Sequence, residues 1–231
     1  MMRTIALLAL LLVAAAPATA EGIHLRWTRC AADSGTRNKT FACNTNTQFH
    51  VLVTSFELAS PRTVRSISGI IDIVAADLAL PAWWEFRGCR GGSLIFSGAS
   101  VPVDVCDLVI CSGGINSYVV GGAGANTARI VFTGGSCSAA LLAAETEYMG
   151  PVLAINSTRT VGSPSCAGCE TGVCLTLSRL QLDSTVLSTP AILPDGNVVT
   201  WQGGGPGPGG ICQAVTPTRR SAWGAVKSLY R

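Results

Sequence analysis

Ten cysteines, two histidines and thirteen acidic side chains hold most of the reactive chemistry of this 231-residue chain. The densest group is Cys166-Ala167-Gly168-Cys169 followed by Cys174. A C-x-x-C spacing lets two thiolates reach one tetrahedral metal ion, and Cys174 with Cys212 would complete a four-sulfur site. The competing reading is two disulfides sharing a tight glycine-containing loop. A redox-active C-x-x-C normally opens a helix in a βαβ setting, which the flanking residues do not provide. The histidines, His24 and His50, have no G-x-S-x-G elbow or comparable nucleophile signature beside them. Glycoside hydrolysis needs two facing carboxylates, and Glu85, Asp104, Asp107, Glu145 and Glu147 all qualify by type, but spacing alone selects no pair. Asp104-Val105-Cys106-Asp107 is too loose for a calcium loop, and no D-x-D-x-D-G ladder occurs. The pattern assigns no catalytic residue, no metal and no cofactor.

The strongest candidate contact site is Pro81-Ala82-Trp83-Trp84-Glu85-Phe86-Arg87. Read as a strand, it puts Trp84 and Phe86 on the core face and Trp83, Glu85 and Arg87 on the other. An exposed Trp83 between a carboxylate and a guanidinium would stack on a sugar ring or anchor a protein partner.

Compartment decides how the cysteines are read. Arg3, the apolar run Ile5 to Ala15 and the small residues Ala18-Thr19-Ala20 form a secretory signal peptide, so the mature chain is expected to begin at Glu21. Glu21 is not the lipid-accepting cysteine of a lipoprotein, and no later run reaches the length of a membrane helix: Ile70 to Leu80 is broken by Asp72 and Asp77. The expected product is an exported, soluble chain without a membrane span, in the periplasm, on the outer surface or outside the cell. An even cysteine count in such a chain predicts full pairing of Cys30, Cys43, Cys89, Cys106, Cys111, Cys137, Cys166, Cys169, Cys174 and Cys212. Local closure suggests Cys30 with Cys43, and Cys89 with Cys106. Charged residues make up only 13% of the chain, with a formal net charge of +3 and no dense basic block beyond Arg219-Arg220, which excludes a nucleic-acid partner.

These groups must be positioned by strands. Thr127 to Thr133 alternates, with Ala128, Ile130 and Phe132 in phase. Gln48 to Phe56 is apolar on both faces, as in a central strand. Arg62 to Val74 is a long strand with a bulge or bend expected at Gly69, and Val173 to Leu182 changes phase near Ser178, as at a bulge. Ser93 to Phe96, Val152 to Asn156 and Asn197 to Gln202 are shorter candidates. Ser138 to Glu145, an Ala/Leu run behind a serine cap, reads as the one short helix of the body. Glycine pairs punctuate these segments.

The predicted class is therefore all-β: a single disulfide-stapled β-sandwich with a short C-terminal tail. Its expected parts are the signal peptide (1–20), the sandwich (21–202), a Gly/Pro-rich linker or loop (203–210) and the tail (211–231). Ser221 to Arg231 can form a helix carrying Trp223, Val226 and Tyr230 on one side, with Lys227 and Arg231 in its last turn. So short a helix is marginal alone, which points to docking or to recognition through Trp223, Lys227, Tyr230 and Arg231.

With Asn38 to Asn44, Trp83-Trp84, Cys166 to Cys169, Trp201 to Gly204 and Trp223 to Arg231, the chain resembles short exported bacterial proteins that end in Trp-Gly-x-x-Lys-x-Leu-Tyr-Arg. The resemblance implies a bacterial exported protein and carries no activity. The leading expectation is a non-catalytic structural or binding module of the cell envelope or extracellular space, whose partner is a carbohydrate or an envelope protein. The alternatives are a secreted carboxylate-dependent hydrolase and an assembly subunit recognised through its tail.

Overall fold

Period-two burial builds two sheets. The computed structural model describes residues 22–97, 106–108, 112–183, 188–190 and 196–204. In chain order its strands are β1 (Gly22–Trp27), β2 (Asn38–Lys39), β3 (Phe49–Glu57), β4 (Arg62–Ala75), β5 (Leu94–Ser97), β6 (Asp107–Leu108), β7 (Ser112–Val120), β8 (Thr127–Leu142), β9 (Glu147–Asn156), β10 (Val173–Asp183), β11 (Ser188–Pro190) and β12 (Val198–Trp201). One sheet has the order β1-β3-β9-β5, with β6 also on β9. The other runs β2-β12-β10-β4-β8-β7, with β11 on β10. The two pack together as a sandwich, the architecture predicted for a chain without crossover helices.

Burial along each strand follows its place in the sheets. Strand β3 is buried from Leu52 to Phe56 and β9 from Glu147 to Ile155, as befits strands covered on both faces. Strand β4 alternates, sending Ile67, Ile71, Ile73 and Ala75 into the core. On β8, Ala128, Ile130 and Phe132 face the same interior. The phase change predicted at Ser178 is a register shift between Leu177 and Arg179 against β4, which lets Leu177, Leu180 and Leu182 all be buried.

Three expectations are corrected. Gly69 does not bend β4: it pairs in register with Phe132, and an added Cβ would stand 2.2 Å from that ring's Cζ. The glycine leaves room for the phenyl ring to lie across the strand, and the irregularity of β4 falls between Val64 and Ser66 instead. Ser138 to Glu145 is not a helix, because β8 runs on to Leu142 and pairs Ala140, Leu141 and Leu142 with Val64, Thr63 and Arg62. Ladder pairing outweighs the small intrinsic helix preference of alanine and leucine.

The disulfide pairing is also long-range rather than local. Cys30 joins Cys106, Cys43 joins Cys169 and Cys89 joins Cys166, across sequence separations of 76, 126 and 77 residues. Loop-closure entropy gives more stabilisation to longer loops, so these links restrict the unfolded chain more than the local pairs would. Cys174 is also disulfide-bonded. Neither Cys166 nor Cys169 is available as a thiolate for the four-sulfur metal site.

The first and last described strands meet. Leu25 N–H donates to Gly196 O (3.0 Å), and the Trp27 indole N–H to Thr200 O (2.9 Å). Strand β2 lies parallel to β12.

Candidate functional site

Pro81 opens a turn, not a strand. Trp84 N–H donates to Pro81 O and Glu85 N–H to Ala82 O, making a 3-10 turn over Ala82–Trp84. Helical geometry carries both tryptophans inward, and each is fully buried. The expected exposed Trp83 is thus overturned: its indole donates to Thr160 Oγ1 at 2.9 Å and cannot serve as a surface stacking platform. Glu85 is half-buried and Arg87 exposed. Trp84 and Phe86 are buried as predicted.

Trp83 belongs to an aromatic hub around Trp201. Phe41 stacks on Trp201 at 4.0 Å, Trp83 lies at 4.7 Å, His50 at 4.8 Å, Trp84 at 5.4 Å and Trp27 at 6.0 Å between centroids. The Arg90 guanidinium covers the outer ring, 3.5 Å from the Trp83 centroid, and donates to Thr158 O and Trp83 O at 3.0 Å each. Burial pulls the Arg90 pKa down to about 9, so it is still a cation at neutral pH.

His50 closes the hub, its Nε2 3.0 Å from the buried Ser157 hydroxyl. Burial first, then the Lys39 and Arg90 charges, lowers its pKa to about 4. Unfolded, the imidazole titrates near 6.5, so between these values the unfolded chain binds the extra proton. Stability is expected to fall as the pH drops through that window, by up to ~3 kcal/mol in all. Urea titrations at a series of pH values should show a shallower loss for His50→Gln, and parallel curves for the two proteins would reject the assignment.

A cleft opens beside this hub. Its larger lobe, of about 610 Å³, is built from the 165–172 loop with Cys43, Ala76, Asp77 and Thr160. A smaller lobe of about 360 Å³, lined by Thr40, Phe41, Cys43, Glu170 and Gln202, adjoins it at Cys43 and Glu170. The Cys43–Cys169 disulfide therefore lies where the lobes meet, with Cys166 also in the lining. The loop is fixed along its length: Cys166 N–H donates to Arg159 O (2.7 Å), Trp83 N–H to Ala167 O (2.9 Å) and Ala76 N–H to Gly172 O (2.8 Å). Gly168, at φ +98°, presses against Pro81 so closely that a Cβ would come within 2.2 Å of the proline's own. Asn46 ties the neighbouring loop down, its carbonyl oxygen accepting from Thr160 N–H (2.8 Å) and Val161 N–H (3.0 Å).

Two carboxylates stand in the lining, Asp77 and Glu170, both exposed and joined by the hydroxyls of Thr160, Ser165 and Thr171. Thr171 donates to Asp77 Oδ2 at 2.9 Å, leaving the carboxylate further acceptor capacity. Neither acid is among the sequence candidates, because nothing in the local pattern shows that the ends of β4 and of the 165–172 loop meet.

The acids that the sequence offered go elsewhere. Glu147 is buried and accepts from Ala31 N–H (2.9 Å), Ala32 N–H (2.6 Å) and the Ser55 hydroxyl, fixing the turn after β1. Glu145 is exposed in the turn before β9, at φ +58°. Asp107 sits in β6, and Asp104 lies outside the described residues. His24 is 3.7 Å from Glu57, and burial lowers its pKa. Trp223, Lys227, Tyr230 and Arg231, the expected linker from 205 onward and the expected signal peptide 1–20 also lie outside the described residues. No helix of the described residues is long and apolar enough to cross a membrane.

Comparison with protein-family models, curated proteins and solved structures finds no match to this chain.

Proposed function

We propose that the chain is an exported, non-catalytic binding module of the cell envelope or extracellular space, and that its cleft takes a hydroxyl-rich ligand of the carbohydrate class. The observation that carries this reading is the cleft itself: two exposed carboxylates with the hydroxyls of Ser165 and Thr171 on a backbone held by disulfides and main-chain hydrogen bonds. Carboxylate oxygens accept from sugar hydroxyls, serine and threonine both donate and accept, and a pre-formed floor lowers the entropy lost on binding. The disulfides fit an oxidising, exported setting.

The hydrolase alternative keeps one specific support, the meeting of Asp77 and Glu170 in one cleft. Calorimetry against a panel of soluble envelope and cell-wall oligosaccharides, with product analysis of the same mixtures, separates the readings. Saturable binding without turnover is expected, and the double variant Asp77→Asn, Glu170→Gln should lose at least tenfold in affinity while its circular dichroism is unchanged. Product formation abolished by that variant would instead establish the hydrolase. A panel without a ligand would reject carbohydrate recognition.

A further inference from the structure

The cleft carries one sign of charge. Asp77 and Glu170 line it, no lysine, arginine or histidine lines either lobe, and neither carboxylate has an ion-pair partner among the described residues. Lys39, next in sequence to the lining residue Thr40, is engaged elsewhere, its Nζ donating to Thr28 Oγ1 at 3.2 Å. The rim is apolar as well as acidic. Leu78, beside Asp77, is 96% exposed, and Val161, beside Thr160, is exposed too. A surface of this kind fits an occupant that carries cations and apolar side chains together.

The chain itself holds such a segment. No acidic residue follows Asp195, and residues 211–231 carry Arg219, Arg220, Lys227 and Arg231, with Trp223, Val226 and Tyr230 at helical spacing among them. The last described residues before this segment border the cleft. Gln202 lines the smaller lobe, and Gly204 O lies so close to Gly172, in the lining of the larger lobe, that a Cβ there would stand 1.9 Å from it. A glycine-rich stretch as long as that from Gly204 to Arg219 spans roughly 20 Å root-mean-square, enough to bring the cations back over either lobe. Tethering at so short a distance gives an effective concentration in the millimolar range, so contacts too weak to hold a separate peptide suffice.

We propose that the basic segment from Arg219 to Arg231 docks in the cleft of its own chain, its cations against Asp77 and Glu170 and its aromatic side chains against Leu78. The two carboxylates thereby gain ion-pair partners and Leu78 is covered. The tail then holds the cleft until a stronger ligand displaces it. The proposal does not rest on carbohydrate binding, and its test contains no sugar.

The test uses the full chain at low salt, where exposed ion pairs are least screened. Hydrogen exchange read by mass spectrometry should show the amides of residues 219–231 exchanging about tenfold more slowly than in the isolated peptide of the same sequence. The double variant Asp77→Asn, Glu170→Gln, whose circular dichroism should be unchanged, is expected to bring them within about twofold of the peptide. A carbodiimide, which joins an amine to a carboxylate in contact with it, should link Lys227, the one lysine of the segment, to Asp77 or Glu170. In a mixture of isotope-labelled and unlabelled chains that link should join residues of one chain. Tail amides exchanging as fast as in the peptide, protection that survives the double variant, or Lys227 linked only to acids outside the cleft or only to another chain would each overturn the proposal.

Discussion

Trp201→Ala should cost about 5 kcal/mol, enough to leave the chain largely unfolded at moderate temperature if its stability lies at the low end of the usual range. A buried tryptophan cut back to alanine typically loses roughly 3–5 kcal/mol through lost transfer energy and the cavity left behind. This site belongs at the upper end for two reasons. The indole is fully buried and meets five other rings, including the stacked Phe41. Its N–H also donates to Cys169 O at 2.7 Å, so truncation leaves a carbonyl short of its partner. Trp201→Phe retains most of the packing and should cost less than half as much. Urea unfolding followed by far-ultraviolet circular dichroism gives the difference, and a loss below about 2 kcal/mol for the alanine variant would show that the other rings hold together without Trp201.

The double variant Cys43→Ser, Cys169→Ser is the second large case. The link closes a separation of 126 residues, and loop-closure entropy for a loop of this size is worth about 5 kcal/mol. In a domain of this size that corresponds to a fall in melting temperature of roughly 10 °C. The link also fixes the position of the 165–172 loop relative to Phe41, so the variant should bind any cleft ligand more weakly at temperatures where it is still folded. Calorimetric scans of oxidised wild type, reduced wild type and the variant separate the contribution of this link from that of the others. Identical melting for variant and oxidised wild type would mean that the loop is held by its main-chain hydrogen bonds alone.

The strands were legible wherever one face is buried and the other is not. Ala128, Ile130 and Phe132 gave β8 its phase, and the change from Leu175 and Leu177 to Leu180 and Leu182 located the bulge of β10. Trp83-Trp84-Glu85-Phe86 was misleading because apolar and polar residues alternate there without a partner strand. The cue to a turn was Pro81, which sets up the first hydrogen bond at Trp84. The end of β8 was misread because the helix preference of alanine and leucine is small enough to yield to pairing with the strand beside them, here Arg62 to Val64. The cleft was not legible at all. Asp77 and Thr171 are 94 residues apart in sequence and meet only because β4 and β10 pair along their length. The cysteine map failed for the same reason: proximity along the chain does not predict proximity across a sandwich.

The meeting of β1 with β12 bears on when the protein can fold. Trp27 has its indole partner only once Thr200 is present, and the hub around Trp201 lacks its centre until the end of β12 is in place. Topologies that rely on such distant pairings fold slowly, because loop closure precedes the contacts that compensate it. A chain emerging from the ribosome therefore remains without its aromatic centre through most of its synthesis. That delay lengthens the interval in which apolar strands such as β9 are open to aggregation. Pairing of Cys43 with Cys169 is tied to the same late event, because the Trp201 indole holds the Cys169 carbonyl in place.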